Sequence, residues 1–234
     1  MVAALAGFAM LVSLGVWQLH RLDWKRDLIQ RVEQRVHAPP VAAPGRDQWP
    51  QVNVANSEYL HVVVRGRFQH DRETLVQAVT ELGGGFWVIT PLETLDGDVV
   101  LINRGFVPPT QRDPATRARG QVEGVTTVTG LVRISETGGA YLRENEPATD
   151  RWYSRDVAAI AAARGLSDVA PYFIDADASE TSSGGAPIGG LTVIRFSNNH
   201  LQYALTWFGL ALMVAGAAFL VLRHEWRWRT LPAS

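Results

Sequence analysis

The chain of 234 residues contains no cysteine. That excludes thiol nucleophiles, disulfides, thiolate metal sites and covalent haem attachment through a Cys-x-x-Cys-His motif. It does not decide the compartment, because an oxidising compartment permits disulfides without requiring them. Charge of one sign is lacking as well: 22 Lys and Arg against 23 Asp and Glu leave a net charge of -1, with no basic excess to hold nucleic acid. Catalytic signatures are also missing. There is no Gly-x-Ser-x-Gly elbow, no His-Glu-x-x-His and no phosphate loop. The carboxylates Glu144, Glu146, Asp150 and Asp156 read as solvated loop charges. No internal repeat is present.

Two long apolar runs are present. From Leu201 to Leu222 there is no charged residue over 22 positions. At about 1.5 Å rise per residue such a stretch is about 33 Å of helix, which matches a hydrocarbon core of about 30 Å. It opens on polar residues (Asn198, Asn199, His200, Gln202, Tyr203) and leaves through Arg223, His224, Glu225, Trp226, Arg227, Trp228 and Arg229, a basic and aromatic anchor. The other run, Val2 to Leu19, is broken only by Ser13 and Gln18. A signal peptide also starts at the N-terminus, but this run has no basic n-region and no small-x-small cleavage site near its end. It continues into an amphipathic pattern with Trp24, Leu28, Val32 and Val36 at four-residue spacing, and Pro39-Pro40 ends it. The run reads as an uncleaved span beginning almost at Met1, which leaves room for a natural start further upstream. The expected division is 1–20 first span, 21–37 amphipathic helix, 38–196 domain, 198–222 second span and 223–234 tail.

The arginines on the two spans point in opposite directions. Arg223, Arg227 and Arg229 after the second span place the C-terminus in the cytoplasm, whereas Arg21, Lys25, Arg26 and Arg31 lie on the domain side of the first. A long domain crosses largely regardless of charge, so the second span decides: domain outside, tails inside. The tail of 12 residues is too short for a signalling output domain.

About 170 residues remain between the spans, enough for one domain with its own core. Strands are expected at Leu60–Phe68, Glu73–Val79, Phe86–Leu92, Val99–Val107, Thr126–Ile134 and Tyr172–Asp175. Asp96-Gly97 marks a hairpin, and Gly83-Gly84-Gly85 reads as a turn. Ser154 is placed to cap a helix from Arg155 to Arg164 that Gly165 closes. Ala178–Gly190 reads as a linker rich in Ser, Gly and Pro, and Leu191–Phe196 leads into the second span. The fold class expected is an α+β, strand-rich domain, antiparallel and barrel-like, flanked by two transmembrane helices.

His200 at the mouth of the second span has two readings of about equal weight. One is an interfacial histidine bonded to Asn198, Asn199 and lipid headgroups; the other is an axial ligand to haem iron. His20 lies at a similar depth on the first span as a possible second ligand, although a solvated residue past a helix end is the favoured reading. Arg21 and Arg195 stand at the same level and suit propionates. Trp17, Trp24, Trp207, Trp226 and Trp228 suit an aromatic belt, and Ala3/Gly7 and Ala211/Ala215 have small-x-x-x-small spacing that lets helices approach. Asn103-Arg104-Gly105-Phe106 reads either as a partner-facing loop or as a hairpin edge with a solvated arginine.

Three blocks then share one pattern. Leu14-Gly15-Val16-Trp17-Gln18-Leu19-His20-Arg21-Leu22-Asp23-Trp24-Lys25, Val100-Leu101-Ile102-Asn103-Arg104-Gly105-Phe106-Val107-Pro108 and Asn198-Asn199-His200-Leu201-Gln202-Tyr203-Ala204-Leu205-Thr206-Trp207-Phe208 together resemble the surfeit locus protein 1 family, from end to end. The resemblance implies two membrane spans around a domain facing the periplasm or intermembrane space, and a non-enzymatic role in the assembly of cytochrome c oxidase. It implies haem a as a transiently bound cofactor, with the iron on His200. It also implies subunit I of the oxidase, haem A synthase and membrane lipid as partners, and the inner membrane as the location. His20 is outside the family pattern. Two other classes are weighed against this reading: a scaffold that never binds haem, and a membrane-anchored enzyme acting on haem or lipid.

Overall fold

The computed structural model describes residues 2–139, 143–178, 186–192, 194 and 198–229; the side chains of 228 and 229 lie outside that set. The chain divides into two compact units. One comprises Met1–Glu33 with Ile194–Ser234, and the other Gln34–Val193.

In the first unit, α1 (Val2–His37) and α3 (His200–Arg229) are both long and apolar enough to cross a membrane. The α1 helix runs without a break up to the residue before the turn into Pro39-Pro40, where proline removes the donor a further turn needs. Most apolar side chains on both helices face outward. Val2, Leu5, Met10, Leu212, Met213 and Phe219 are all exposed, as suits surfaces that meet lipid. Small residues mark the seam between the helices. Gly15, Ala204 and Ala211 are buried, and a Cβ at Gly15 would lie 2.5 Å from the Phe208 ring. The seam does not use Ala3/Gly7: Gly7 has nothing within 4 Å of an added Cβ, and Ala215 is exposed. The buried positions fall seven residues apart, at Gly15 and Leu22 and at Ala204 and Ala211, the spacing of helices that stay in contact over successive turns.

The second unit is a strand-rich domain. Its strands are β1 (Val41–Ala42), β2 (His61–Phe68), β3 (Thr74–Thr80), β4 (Gly83–Thr94), β5 (Val99–Val107), β6 (Val125–Ile134) and β7 (Val169–Ala176), and its helix is α2 (Val157–Ala163). The sheet order is β1-β2-β6-β7-β5-β4-β3, and β2 also pairs with β4. That extra pairing closes β2, β6, β7, β5 and β4 into a barrel, which removes two sheet edges. The barrel is mixed rather than wholly antiparallel, because β5 and β7 run parallel. Glycine permits the closure. A Cβ at Gly66, where β2 crosses from β6 to β4, would come within 2.2 Å of the Glu93 carbonyl oxygen, and one at Gly130 within 2.2 Å of the Asp175 carbonyl oxygen. Alternate residues fill the interior: Val62 and Val64, Leu92, Val100 and Ile102, Val128 and Val132, Tyr172 and Ile174. Outside the barrel, α2 covers a second cluster formed by Val76, Ile89, Leu101, Trp152, Val157, Ile160 and Phe173.

Local expectations are extended or corrected in several places. Gly83-Gly84-Gly85 is the start of β4 rather than a turn; the two-residue turn is Glu81-Leu82, and Gly85 serves close approach, since a Cβ there would meet the Val107 carbonyl oxygen at 2.3 Å. The helix begins at Val157 with Asp156 as its cap, accepting from Ala159 N at 3.1 Å, instead of at Arg155 under Ser154. Ser154 accepts from Gly139 N and Asn145 Nδ2. The Tyr172–Asp175 strand extends to Val169–Ala176 and lies between β5 and β6. Asn103–Phe106 lies inside β5 rather than in a loop. Of the 178–190 linker, Ile188 pairs with Phe106 through two backbone hydrogen bonds of 2.9 Å, and 179–185 lie outside the described residues.

Candidate functional site

The first helical hydrogen bond of α3 runs from Tyr203 N to the Asn199 carbonyl oxygen at 3.1 Å, so His200 occupies the opening position of the helix. Its ring is half-buried, and its Nδ1 lies 2.7 Å from Gln18 Oε1 on α1. An amide oxygen only accepts, so with Gln18 Oε1 facing the ring Nδ1 is the donor. That pairing would leave Nε2 available to a metal. Nearby, Asn198 Oδ1 is buried with no hydrogen-bond partner among the described residues.

Of the other expected site residues, the two that are described, His20 and Arg21, are not gathered around this imidazole. His20 is two positions from Gln18, about 200° round the helix at about 100° per residue, and is exposed. It therefore faces away from the side of α1 that meets His200. Arg21 is exposed, with its guanidinium 4.5 Å from the Trp24 ring centre. Arg195 lies outside the described residues. Sequence reading missed Gln18, although it is one of only two polar residues interrupting the first apolar run. A single imidazole supplies one metal bond. Among the described residues no group of three His, Asp or Glu converges to cage a bare ion. Exposed apolar side chains at the same level (Val16, Trp17, Leu201, Tyr203, Leu205) provide surface against which a macrocycle can lie.

The domain carries a polar centre that sequence reading also missed. Asp175, buried at the end of β7, accepts from Asn103 Nδ2 at 2.7 Å, Arg133 Nη1 at 2.9 Å, Arg155 Nη1 at 3.1 Å and Thr192 Oγ1 at 3.0 Å. Glu136 also holds Arg155, and its carboxyl titrates below the usual range: burial opposes ionisation, but the Arg155 guanidinium outweighs it. Arg155 in turn lies 4.8 Å from the Phe173 ring centre. The cluster ties β5, β6 and β7 to the segment before α2. The available signal was an aspartate directly after the apolar Tyr172-Phe173-Ile174. Of the loose carboxylates, Asp156 caps α2, Asp150 pairs with Arg164 at 2.6 Å, and Glu146 pairs with Arg151 at 3.7 Å.

Known proteins resemble this chain along most of its length. The SURF1 family model matches residues 5–212. Surfeit locus protein 1 of Homo sapiens is 41% identical over 216 residues, covering 85% of this chain and 69% of that protein. The Mus musculus protein of the same name is 40% identical over 214 residues, covering 85% and 67%. A SURF1-like protein of Monosiga brevicollis is 40% identical over 225 residues, covering 91% and 83%. The match takes in both long apolar helices' seam residues, the barrel and the Gln18–His200 pair, and on this footing the chain belongs to the SURF1 family.

Proposed function

We propose that this chain is a non-enzymatic, membrane-bound assembly factor for haem-copper cytochrome c oxidase. It holds haem a through His200 and assists its insertion into oxidase subunit I, with that subunit and haem A synthase as partners. The observation that carries the reading is the Gln18–His200 hydrogen bond of 2.7 Å. An imidazole that only anchors a helix to headgroups needs no fixed tautomer; one that binds iron does. Haem a is cargo here, and the chain's own part is to present Nε2 and an apolar surface. Arg195 is retained as a candidate propionate partner. His20, exposed and about 200° round α1 from Gln18, is the weaker candidate for a second ligand. Arg223, Arg227 and Arg229 after the second helix support tails inside and a domain in the periplasm; the inner membrane is the location that the oxidase-assembly role implies.

The test is the absorption spectrum of the full-length protein purified after co-expression with the haem a biosynthetic enzymes. A Soret band is expected in the wild type and should be largely lost in His200→Ala. Deletion of the gene should lower haem occupancy in assembled aa3-type oxidase. Wild-type haem content in His200→Ala refutes the ligand; full haem occupancy in the deletion strain refutes the assembly role. Alkaline phosphatase fused after Asp177 should be active and after Ser234 inactive; the reverse overturns the orientation.

A further inference from the structure

Arg104 stands two residues beyond Ile102 on β5, so strand alternation points both toward the barrel axis. Ile102 is sealed in the core. Arg104 lies at the rim, where the barrel opens into a cavity of about 410 Å³ lined by Phe68, Ile102, Arg104, Thr126, Val128 and Ala176. The guanidinium donates to the Gly120 carbonyl oxygen, lies 5.0 Å from the Phe68 ring centre and reaches His70 Nδ1 at 3.5 Å.

Among the described residues Arg104 lacks a counter-charge. Arg117, Arg133 and Arg155 each hold a carboxylate, whereas Arg104 has none within 4.0 Å among the described residues. Glu73, the nearby acid, is bonded to Arg117, and Asp177 in the cavity wall is bonded to His61 at 3.0 Å. A second arginine, Arg119, also lines the cavity. Burial lowers the Arg104 pKa to about 10, with Glu73 opposing and Arg117 assisting the shift, as expected for a cation short of partners. A desolvated charge without a partner is costly, and a planar guanidinium fork matches a carboxylate. The floor beneath it, Ile102 and Val128 with the Phe68 ring at the side, is apolar.

We infer that the open end of the barrel binds a small organic monocarboxylate, its carboxylate on Arg104 and its apolar body on the Ile102–Val128 floor. The site uses no residue of the His200 region and does not rest on the haem reading.

Full-length protein in detergent, titrated with 4-(trifluoromethyl)benzoate and followed by 19F NMR, tests it. Saturable binding is expected, at least about tenfold tighter than that of the corresponding neutral benzamide, since a charge-assisted pair is lost with the charge. Arg104→Gln should weaken benzoate binding by at least about tenfold while Arg104→Lys keeps part of it. Ala176→Leu, which intrudes from β7, should abolish it. If Arg104 only straps the Pro114–Gly120 segment through the Gly120 carbonyl, benzoate and benzamide will bind alike or neither will saturate, and the inference is overturned. It is equally overturned by undiminished binding in a folded Arg104→Gln or in Ala176→Leu. Should Arg104→Gln not fold, the benzamide comparison and Ala176→Leu decide the matter.

Discussion

Gln18→Leu separates a tuned metal ligand from an interfacial anchor. The substitution puts an apolar side chain of similar bulk on α1 and removes the acceptor 2.7 Å from His200 Nδ1. Without it the imidazole is free to place its proton on either nitrogen and to rotate, so part of the population no longer presents Nε2. Loss of such an outer partner costs about 10–100-fold in metal affinity, equivalent to about 1.4–2.7 kcal/mol. Gln18→Glu should instead retain affinity and shift the bound haem to a more negative reduction potential, because a carboxylate acceptor makes the ring a stronger donor. The assay is spectrophotometric haem titration of full-length protein in detergent, with a double-mutant cycle against His200→Ala. If Gln18 acts through His200, Gln18→Leu adds nothing in the His200→Ala background. Wild-type affinity and spectrum in Gln18→Leu would refute the reasoning. So would equal losses from Gln18→Leu with and without His200, which would mark Gln18 as helix packing alone.

Further outcomes concern the domain, with one glycine of α1 for comparison. Asp175→Ala removes the carboxylate shared by Arg133 and Arg155. Breaking a buried pair costs about 3–5 kcal/mol, and the lower end is expected because Arg155 retains Glu136 and Arg133 retains Glu58 at 3.6 Å; urea unfolding followed by circular dichroism should show it. Gly66→Val should destabilise by about 1–3 kcal/mol or more in the same assay, because its Cβ meets the Glu93 carbonyl oxygen where the barrel closes; Gly7→Ala, with open space around it, should be near neutral or slightly stabilising. Finally, His61 bonds to the Ala38 carbonyl oxygen at 2.7 Å and to Asp177 at 3.0 Å. Burial lowers its pKa, but these two acceptors outweigh it and the net shift is upward. A raised pKa means the charged form contributes stability below the unfolded value of about 6.5, and that this is lost as pH rises through the folded value. The melting-temperature gap between wild type and His61→Gln should therefore be widest near about pH 5.5 and narrow toward about pH 8; a gap that widens with pH contradicts the assignment.

Both long apolar helices were legible in the sequence because the property that makes them is local. No charged residue interrupts Leu201–Leu222, and Pro39-Pro40 stops α1 wherever the rest of the chain goes. Asp96-Gly97 likewise specified the β4–β5 turn between Thr94 and Val99, and the expected strand Val99–Val107 has the bounds of β5. His200 stood out as a chemically capable residue at a helix mouth. Its partner did not, because Gln18 lies 182 residues away and no spacing rule links two helices across an intervening domain. The same limit hid Asp175, whose four donors come from four separate segments. Glycine was misread for a related reason. The run Gly83–Gly85 resembles a turn locally, yet Gly85 sits in a strand because the Val107 carbonyl oxygen approaches from β5. Sequence by itself determined where this chain is apolar, where it turns and which residues have reactive side chains. Tertiary structure alone decided that β2 closes on β4, that His200 Nδ1 meets Gln18 and that Arg104 has no carboxylate among the described residues within 4.0 Å, because each depends on which distant groups are brought within about 4 Å, the range over which hydrogen bonds and ion pairs act.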